Sequence, residues 1–407
     1  MKKIEGGITG AKGFEAAGVA ANIKYQDRKD MALVYSLKPA VCAGTFTTNV
    51  VKAAPVLWDM KVVKEQGNAR LIIINSGFAN ACTGAAGMEI CRKTAEEAAK
   101  LLDIKAEEVL IGSTGVIGVS PPLEKLLAGT ALLIKEKSAT LVSGNDAATA
   151  IMTTDTVKKQ VAVEIMIGGK KVTIGGMSKG SGMIHPNMCT MLAYVTTDVL
   201  ITKEMLTDIV NEIIADTYNM ISVDGDTSTN DTFLVLANGE AGNPCITDKG
   251  DDYQIFKEAL FYVNEYLAKE MARDGEGATT LIEMKVVGAA NKEDARKLAK
   301  SVIGSSLVKS AVYGRDANWG RVLCALGYSG VMFDPDLAEL YFGSAAGKVK
   351  IYEKGSGVAF SEEEAKKILS EKAVTIFINM NMGDESATAW GCDLTEDYVK
   401  INADYRS

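Results

Sequence analysis

Residues 175–198 read GGMSKGSGMIHPNMCTMLAYVTTD. Gly175, Gly176, Gly180 and Gly182 crowd the first half, which reads as a flexible loop able to approach another chain closely. Lys179 is embedded in it, and His185, Pro186, Asn187 and the small pair Cys189-Thr190 follow. Residues 191–195 are then a continuous apolar run of the buried-strand type. A hydroxyl residue at the mouth of a buried strand, after a glycine-rich loop, fits an N-terminal nucleophile. If the Cys189–Thr190 bond is cut, the new α-amine of Thr190 has an ordinary pKa of about 7.7–8.0. Part of it is neutral near pH 7 and can take the proton of its own hydroxyl. The same residues also fit a plain loop entering a strand, and the pattern alone leaves both readings open.

The rest of the chain makes such a base useful. Its 407 residues contain one histidine, His185. A zinc site with two or three imidazoles cannot be built in one chain, nor can a His-x-x-Glu-His metalloprotease. A Ser-His-Asp triad has only His185 as base. The formal net charge of −8 argues against a general nucleic-acid or anionic-membrane surface. Cys42, Cys82, Cys91, Cys189, Cys245, Cys324 and Cys392 are odd in number and form no C-x-x-C pair, as expected of reduced thiols in a cytoplasmic protein. The N-terminus lacks the apolar stretch of a secretory signal. The aliphatic run 71–74 is far shorter than the roughly 20 residues that cross a bilayer.

Length suggests two or three domain-sized units, and element types alternate along the chain. Residues 71–74 read as a buried strand entering a glycine turn, and 92–102 (RKTAEEAAKLL) as an amphipathic helix. A short strand at 109–111 runs into Gly112-Ser113-Thr114-Gly115. Helices are expected at 122–135, with Pro122 in the first turn, and at 203–220. Phe256, Leu260, Val263, Leu267 and Met271 form a helical stripe that should end near Asp274-Gly275 at a left-handed cap. Ser361 to Glu364 fits a capping box, and 374–380 a strand with alternating aliphatics. The class is α/β or α+β. The order of strands is not legible at this level.

The strings themselves carry more. Residues 179–192 resemble the cleavage-site signature of the arginine-biosynthesis glutamate N-acetyltransferase family, also called ornithine acetyltransferase. The resemblance runs the length of the chain. It takes in Asn75-Ser-Gly-Phe-Ala-Asn-Ala-Cys-Thr-Gly84, Ser113-Thr114-Gly115-Val-Ile-Gly118, Met152-Thr153-Thr-Asp-Thr156 and Ser222-Val-Asp-Gly-Asp-Thr-Ser-Thr-Asn-Asp-Thr232. It continues through Asp274-Gly-Glu-Gly-Ala-Thr279, Gly314-Arg-Asp-Ala-Asn-Trp-Gly-Arg321, Ala387-Thr-Ala-Trp-Gly-Cys-Asp393 and Ile401-Asn-Ala-Asp-Tyr-Arg-Ser407. Cys189 stands where the family usually has Ala, Phe78 where Asn is common, and Ser407 where the family ends in Thr.

The resemblance implies an α/β fold, a layered α-β-β-α sandwich similar to self-processing aminopeptidases. It implies a precursor that cuts itself before Thr190 into an alpha chain, 1–189, and a beta chain, 190–407. These would assemble as a heterotetramer of two of each. Thr190 would take the acetyl group of N2-acetyl-L-ornithine and pass it to L-glutamate in a ping-pong transfer. Thr114 and Gly115 match the family's oxyanion hole. Thr153, Lys179, Thr190, Glu276, Asn402 and Ser407 match its substrate-contacting positions, which places the C-terminus in the site. No metal or organic cofactor is called for, because an amide and an amine exchange one acyl group. Family members differ in whether acetyl-CoA is also a co-substrate, and the reading here leans to that bifunctional form.

Two rivals belong to other classes. One is a self-processing N-terminal-nucleophile amidohydrolase or aminopeptidase, in which water receives the acyl group. The other is a binding protein that never cleaves. His185 is expected to pack the cleavage turn rather than act as a base. Asp224, Asp226, Asn230 and Asp231 superficially suggest a cation loop, but the Glu that an EF-hand loop needs at its twelfth position is here Val235. An Asx-rich turn or a site wall is the expectation. Arg315, Asp316 and Arg321 around Trp319 suggest an ion-pair corner or a subunit contact.

Overall fold

The computed structural model describes residues 1–185 and 191–403. In chain order its strands are β1 (Lys2–Ile4), β2 (Phe14–Val19), β3 (Met31–Phe46), β4 (Asn68–Phe78), β5 (Val109–Val116), β6 (Lys159–Ile167), β7 (Lys170–Lys179), β8 (Leu192–Thr197), β9 (Ile221–Ser222) and β10 (Thr232–Ala237). There follow β11 (Leu281–Ala289), β12 (Glu339–Ser344), β13 (Gly347–Glu353), β14 (Ser356–Gly357), β15 (Ala373–Asn379) and β16 (Glu385–Cys392). They form two sheets in two compact units. The first unit comprises Met1–Gly180, Asn187–Ala215 and Thr227–Leu267, and the second Ser181–Pro186, Asp216–Asp226 and Ala268–Ser407. The expected α/β class is borne out.

In the first unit the sheet order is β1-β6-β7-β8-β10-β3-β4-β5, with β2 paired to β3. Side chains alternate across it, as strand geometry demands. Leu71 and Ile73 of β4 join the core made with Cys91, Ala95 and Ala98 of the helix Gly84–Leu102 and Leu126 and Leu133 of the helix Leu123–Glu136. Ile72 and Ile74 join the opposite core, with Ala147 and Ala148 of the helix Leu141–Ala150 and Tyr194 and Leu234. Among the described residues β5 is the last strand, so its outer polar groups have no strand partner there. The helix Ala54–Glu65 serves them instead. Trp58 Nε1 donates to Val109 O at 2.9 Å, and Ile111 N donates to Asp59 Oδ1 at 2.8 Å.

The second unit's sheet runs β14-β13-β12-β15-β11-β16-β9. Val374, Ile376 and Ile378 of β15 are buried at alternate positions, as their spacing predicts. The helix Lys292–Gly304 buries Leu298, Val302 and Ile303.

Other expectations are borne out or corrected. The stripe Phe256 to Met271 lies wholly buried on the helix Asp251–Arg273. Its stop comes where expected, but Gly275 is not the left-handed cap. A Cβ there would press on Cys392 Sγ and Val223, and the positive φ belongs to Gly277, at +68°. The helix expected over 203–220 ends at Ile214, followed by a 3₁₀ turn Tyr218–Met220. Asp216, between them, takes a two-pronged hydrogen bond from Arg296 at 2.8 and 2.7 Å. Ser361 caps the helix Glu362–Leu369 by accepting from Glu364 N at 3.2 Å. The glycines at 175 and 176 lie within β7, not in a loop. Their lack of a side chain admits neighbours: a Cβ on Gly175 would overlap Gly7 O, and one on Gly176 would crowd Leu267, Val195 and Val263. Among the described residues no helix is long and apolar enough to cross a membrane.

The buried stripe carries a stability prediction. Leu260→Ala should cost about 2–5 kcal/mol, read as a lower urea midpoint with unchanged slope. An unshifted midpoint would contradict the packing.

Candidate active site

In the first unit, Thr114 and Gly115 lie near the end of β5, paired with Ser76 and Gly77 of β4. Gly115 has φ +132°, and a Cβ on it would overlap the backbone of Gly77. Only glycine lets the two chains come this close. Lys179 is the last residue of β7, and its side chain is 9% exposed. Its Nζ donates to Thr153 Oγ1 at 2.8 Å and lies 3.4 Å from Thr114 Oγ1. Three residues expected at the site, Thr114, Thr153 and Lys179, are thus brought together around one ammonium.

Asp155 organises this group. Its Oδ1 accepts from Lys159 Nζ at 2.7 Å and from Gly180 N at 2.7 Å, and its Oδ2 from Thr153 N at 3.0 Å. Lys179 Nζ is 3.9 Å away. Burial opposes the charge on Asp155, but the Lys179 and Lys159 cations and the Gly180 amide outweigh it and hold the carboxyl below its ordinary pKa. Arg28 adds a second support. Its Nη2 donates to Met152 O at 2.6 Å and Thr153 O at 2.9 Å.

In the second unit, Glu276 is buried and its N donates to Ser181 O at 2.8 Å. A Cβ on Gly182 would overlap the Glu276 carboxylate, so a side chain there would push that carboxylate aside. Asn402 Nδ2 donates to Glu276 Oε2 at 2.8 Å. Asn402 lies on the helix Glu396–Ala403, whose start is tied down by Thr395 Oγ1 donating to Gly277 O at 2.7 Å. Glu276 and Asn402 therefore meet. Cys189, Thr190 and Ser407 lie outside the described residues.

Asp224 and Asp226 of the aspartate string form an Asx turn. Asp224 accepts from Met183 N at 2.5 Å, Ile184 N at 2.9 Å and Asp226 N at 3.2 Å. Among the described residues no cluster of His, Cys, Asp and Glu is suited to a metal. His185 Nδ1 is 2.9 Å from Ser222 Oγ. Burial first, and the Lys300 cation second, pull its pKa from 6.5 down to about 4. The ion-pair corner around Trp319 does not form: Arg315 and Asp316 are exposed, and Arg321 donates to Leu307 O at 2.9 Å.

The sequence matches the ArgJ family model over residues 15–407. The chain belongs to the ArgJ family. It is 54% identical to the arginine biosynthesis bifunctional protein ArgJ 1 of Clostridium acetobutylicum, over 98% of this chain and 97% of that one. It is 47% identical to the arginine biosynthesis bifunctional protein ArgJ of Bacillus subtilis, over 100% of this chain and 98% of that one. A crystal structure of the ArgJ protein of Bacillus halodurans is 45% identical, covers 51% of this chain and 96% of its own, and has a TM-score of 0.49. The family suggested by the sequence strings is borne out.

Sequence alone did not single out Asp155, Lys159 and Arg28, whose hydrogen bonds hold the Thr153 and Gly180 backbone. The signal for the first was present: Asp155 lies two residues after Thr153 inside a quoted string, with a lysine four further on. Arg28 sits far away in sequence with no motif around it.

Gly115→Ala should cost about 1–3 kcal/mol in the folded protein, read as a lower urea midpoint; an unchanged midpoint would contradict the close approach to Gly77. His185 makes a separate prediction. Its depressed pKa means the unfolded chain binds more protons between pH 6.5 and about 4, so stability falls as pH drops through that window. His185→Gln should flatten that part of the stability profile, measured as urea midpoints across the window. Equal slopes in the two proteins would refute a buried neutral imidazole.

Proposed function

We propose that this ArgJ-family chain transfers an acetyl group from N2-acetyl-L-ornithine to L-glutamate through an acetyl-Thr190 intermediate, and that it also accepts acetyl-CoA as a donor. The names of the close relatives, bifunctional proteins of arginine biosynthesis, support the two-donor form. One observation carries the mechanistic part: the Lys179 ammonium lies 2.8 and 3.4 Å from the hydroxyls of Thr153 and Thr114, beside a glycine pressed against its neighbour's backbone.

In this reading the precursor cuts itself between Cys189 and Thr190. The freed α-amine takes the Thr190 hydroxyl proton as Oγ attacks the acetyl carbonyl. The carbonyl oxygen becomes an oxyanion held by the Gly115 amide and the Thr114 hydroxyl. As the tetrahedral species collapses, the C–N bond breaks and the proton passes to the departing ornithine amine. The α-amine of glutamate then attacks acetyl-Thr190 and loses a proton to the Thr190 amine; the ester C–Oγ bond breaks, that proton passes to Oγ, and N-acetylglutamate leaves. Free enzyme returns with no net proton change.

Thr153, Lys179, Glu276, Asn402 and Ser407 hold the amino-acid substrates, with Thr190 touching the acetyl group. A cation and an acid suit substrates that carry both carboxylate and ammonium groups. The chemistry needs no metal or organic cofactor. The two segments, 1–189 and 190–407, remain associated as a heterotetramer in the cytoplasm.

Denaturing electrophoresis with N-terminal sequencing tests the cut, and acetate release with and without glutamate tests the transfer. Thr190→Ala should stay uncut and lose transfer by more than ~10³-fold. A fully active variant, or acetate released equally with and without glutamate, would overturn the proposal.

A further inference from the structure

The free edge of β5 is served at every second residue. Trp58 takes Val109 O and Asp59 takes Ile111 N. The third rung is Ser113 O, immediately before Thr114, and Asn230 takes it. Asn230 Nδ2 donates to Ser113 O at 2.8 Å and to Ala79 O at 2.6 Å. Its Oδ1 accepts from Thr229 Oγ1 at 2.6 Å. All of the amide's polarity is spent in a buried place, with the residue 7% exposed. Both carbonyls belong to the segments that meet at Gly77 and Gly115, so the amide staples that close approach from outside. An amide suits this task. It offers two donors and one acceptor, whereas a carboxylate would turn an acceptor towards two carbonyl oxygens.

The segment that carries Asn230 is fixed on its other side as well. Thr232 N donates to Met191 O at 2.8 Å, and Thr232 pairs in parallel register with Leu192. Met191 directly follows position 190 in the chain. Ala53 N donates to Thr229 O at 2.9 Å, Thr47 N to Asp231 O at 3.0 Å, and Thr232 Oγ1 to Asn230 O at 3.0 Å. A single residue, Asp231, thus separates the residue that grips Ser113 from the residue that grips Met191.

We propose that Asn230 is a positioning residue whose side-chain amide sets the spacing between residues 113–115 of β5 and the strand that begins after position 190. It touches no substrate. It acts by holding the oxyanion donors at the distance from the nucleophile that the transition state requires, and it rests on the acetyltransferase reading above. A misplacement near 1 Å at such a site can cost up to ~10²-fold in rate.

The test uses the full self-processed enzyme and measures kcat and KM for N2-acetylornithine together with the melting temperature. Asn230→Asp should lower kcat by about 10–100-fold with KM changed by less than about threefold. Thr229→Val keeps both carbonyl contacts and removes only the hydroxyl that orients the amide. It should lower kcat in the same direction by a smaller factor, and it decides the matter if Asn230→Asp does not fold. Combined with Thr114→Ala, Asn230→Asp should lose less than the product of the single losses, because both act on one oxyanion. Unchanged kcat in the folded variants, or strictly multiplicative losses, would overturn the inference and leave the acetyltransferase reading standing. Full kcat in Thr114→Ala alone would remove the oxyanion reading, and the inference with it.

Discussion

A carboxylate removed from water must be surrounded by donors, and Asp155 shows what that constraint builds. Its side chain is fully buried, so each oxygen is satisfied from within the first unit: by Lys159, by the Gly180 and Thr153 amides, and by the nearby Lys179 cation. Those donors come from the end of β7, from the start of β6 and from the loop before it. The carboxylate therefore fixes where Lys179 can stand and how Thr153 presents its hydroxyl. Leaving such a group unpaired would cost several kcal/mol, which makes the arrangement rigid. Asp59 is the contrast. It is equally buried, but only the Ile111 amide offsets the burial, and its carboxyl is pushed well above the usual range. One buried acid is held below the ordinary carboxylate range and gathers cations; the other is pushed above that range and caps a strand edge.

A second constraint is steric. At Gly115, Gly182 and Gly175 a side chain would overlap backbone or a carboxylate. The chain's richness in glycine is thus spent partly on close approaches in each unit, and not only on turns. Aromatic scarcity fits the same picture. The cores of the first unit rest on alanine, isoleucine, leucine and valine, and small residues let helices lie close to the sheet.

Much of this was legible in the sequence. The aliphatic alternation of β15 and the stripe Phe256 to Met271 depend on local periodicity, so they survive folding unchanged. Thr114, Thr153 and Lys179 were found through family strings, since nothing in their spacing shows that residues 26 and 65 positions from Lys179 would meet at its ammonium. What stayed hidden was long-range compensation. Arg28 reaches Thr153 across more than 120 residues, and Asn230 reaches Ser113 across 117. The early stop at Ile214 and the strand character of residues 175–179 were missed for a related reason. In both places tertiary partners, Arg296 for Asp216 and Gly7 for Gly175, override the local pattern.

The central claim is that the acetyl group rests on the enzyme between donor and acceptor. Intact-mass spectrometry after incubation with N2-acetylornithine, with no glutamate present, addresses it directly. The account predicts one acetyl group added to the fragment that begins at Thr190, located on that residue and removed when glutamate is supplied. Transfer that proceeds at full rate with no acetyl group ever found on the protein would contradict it.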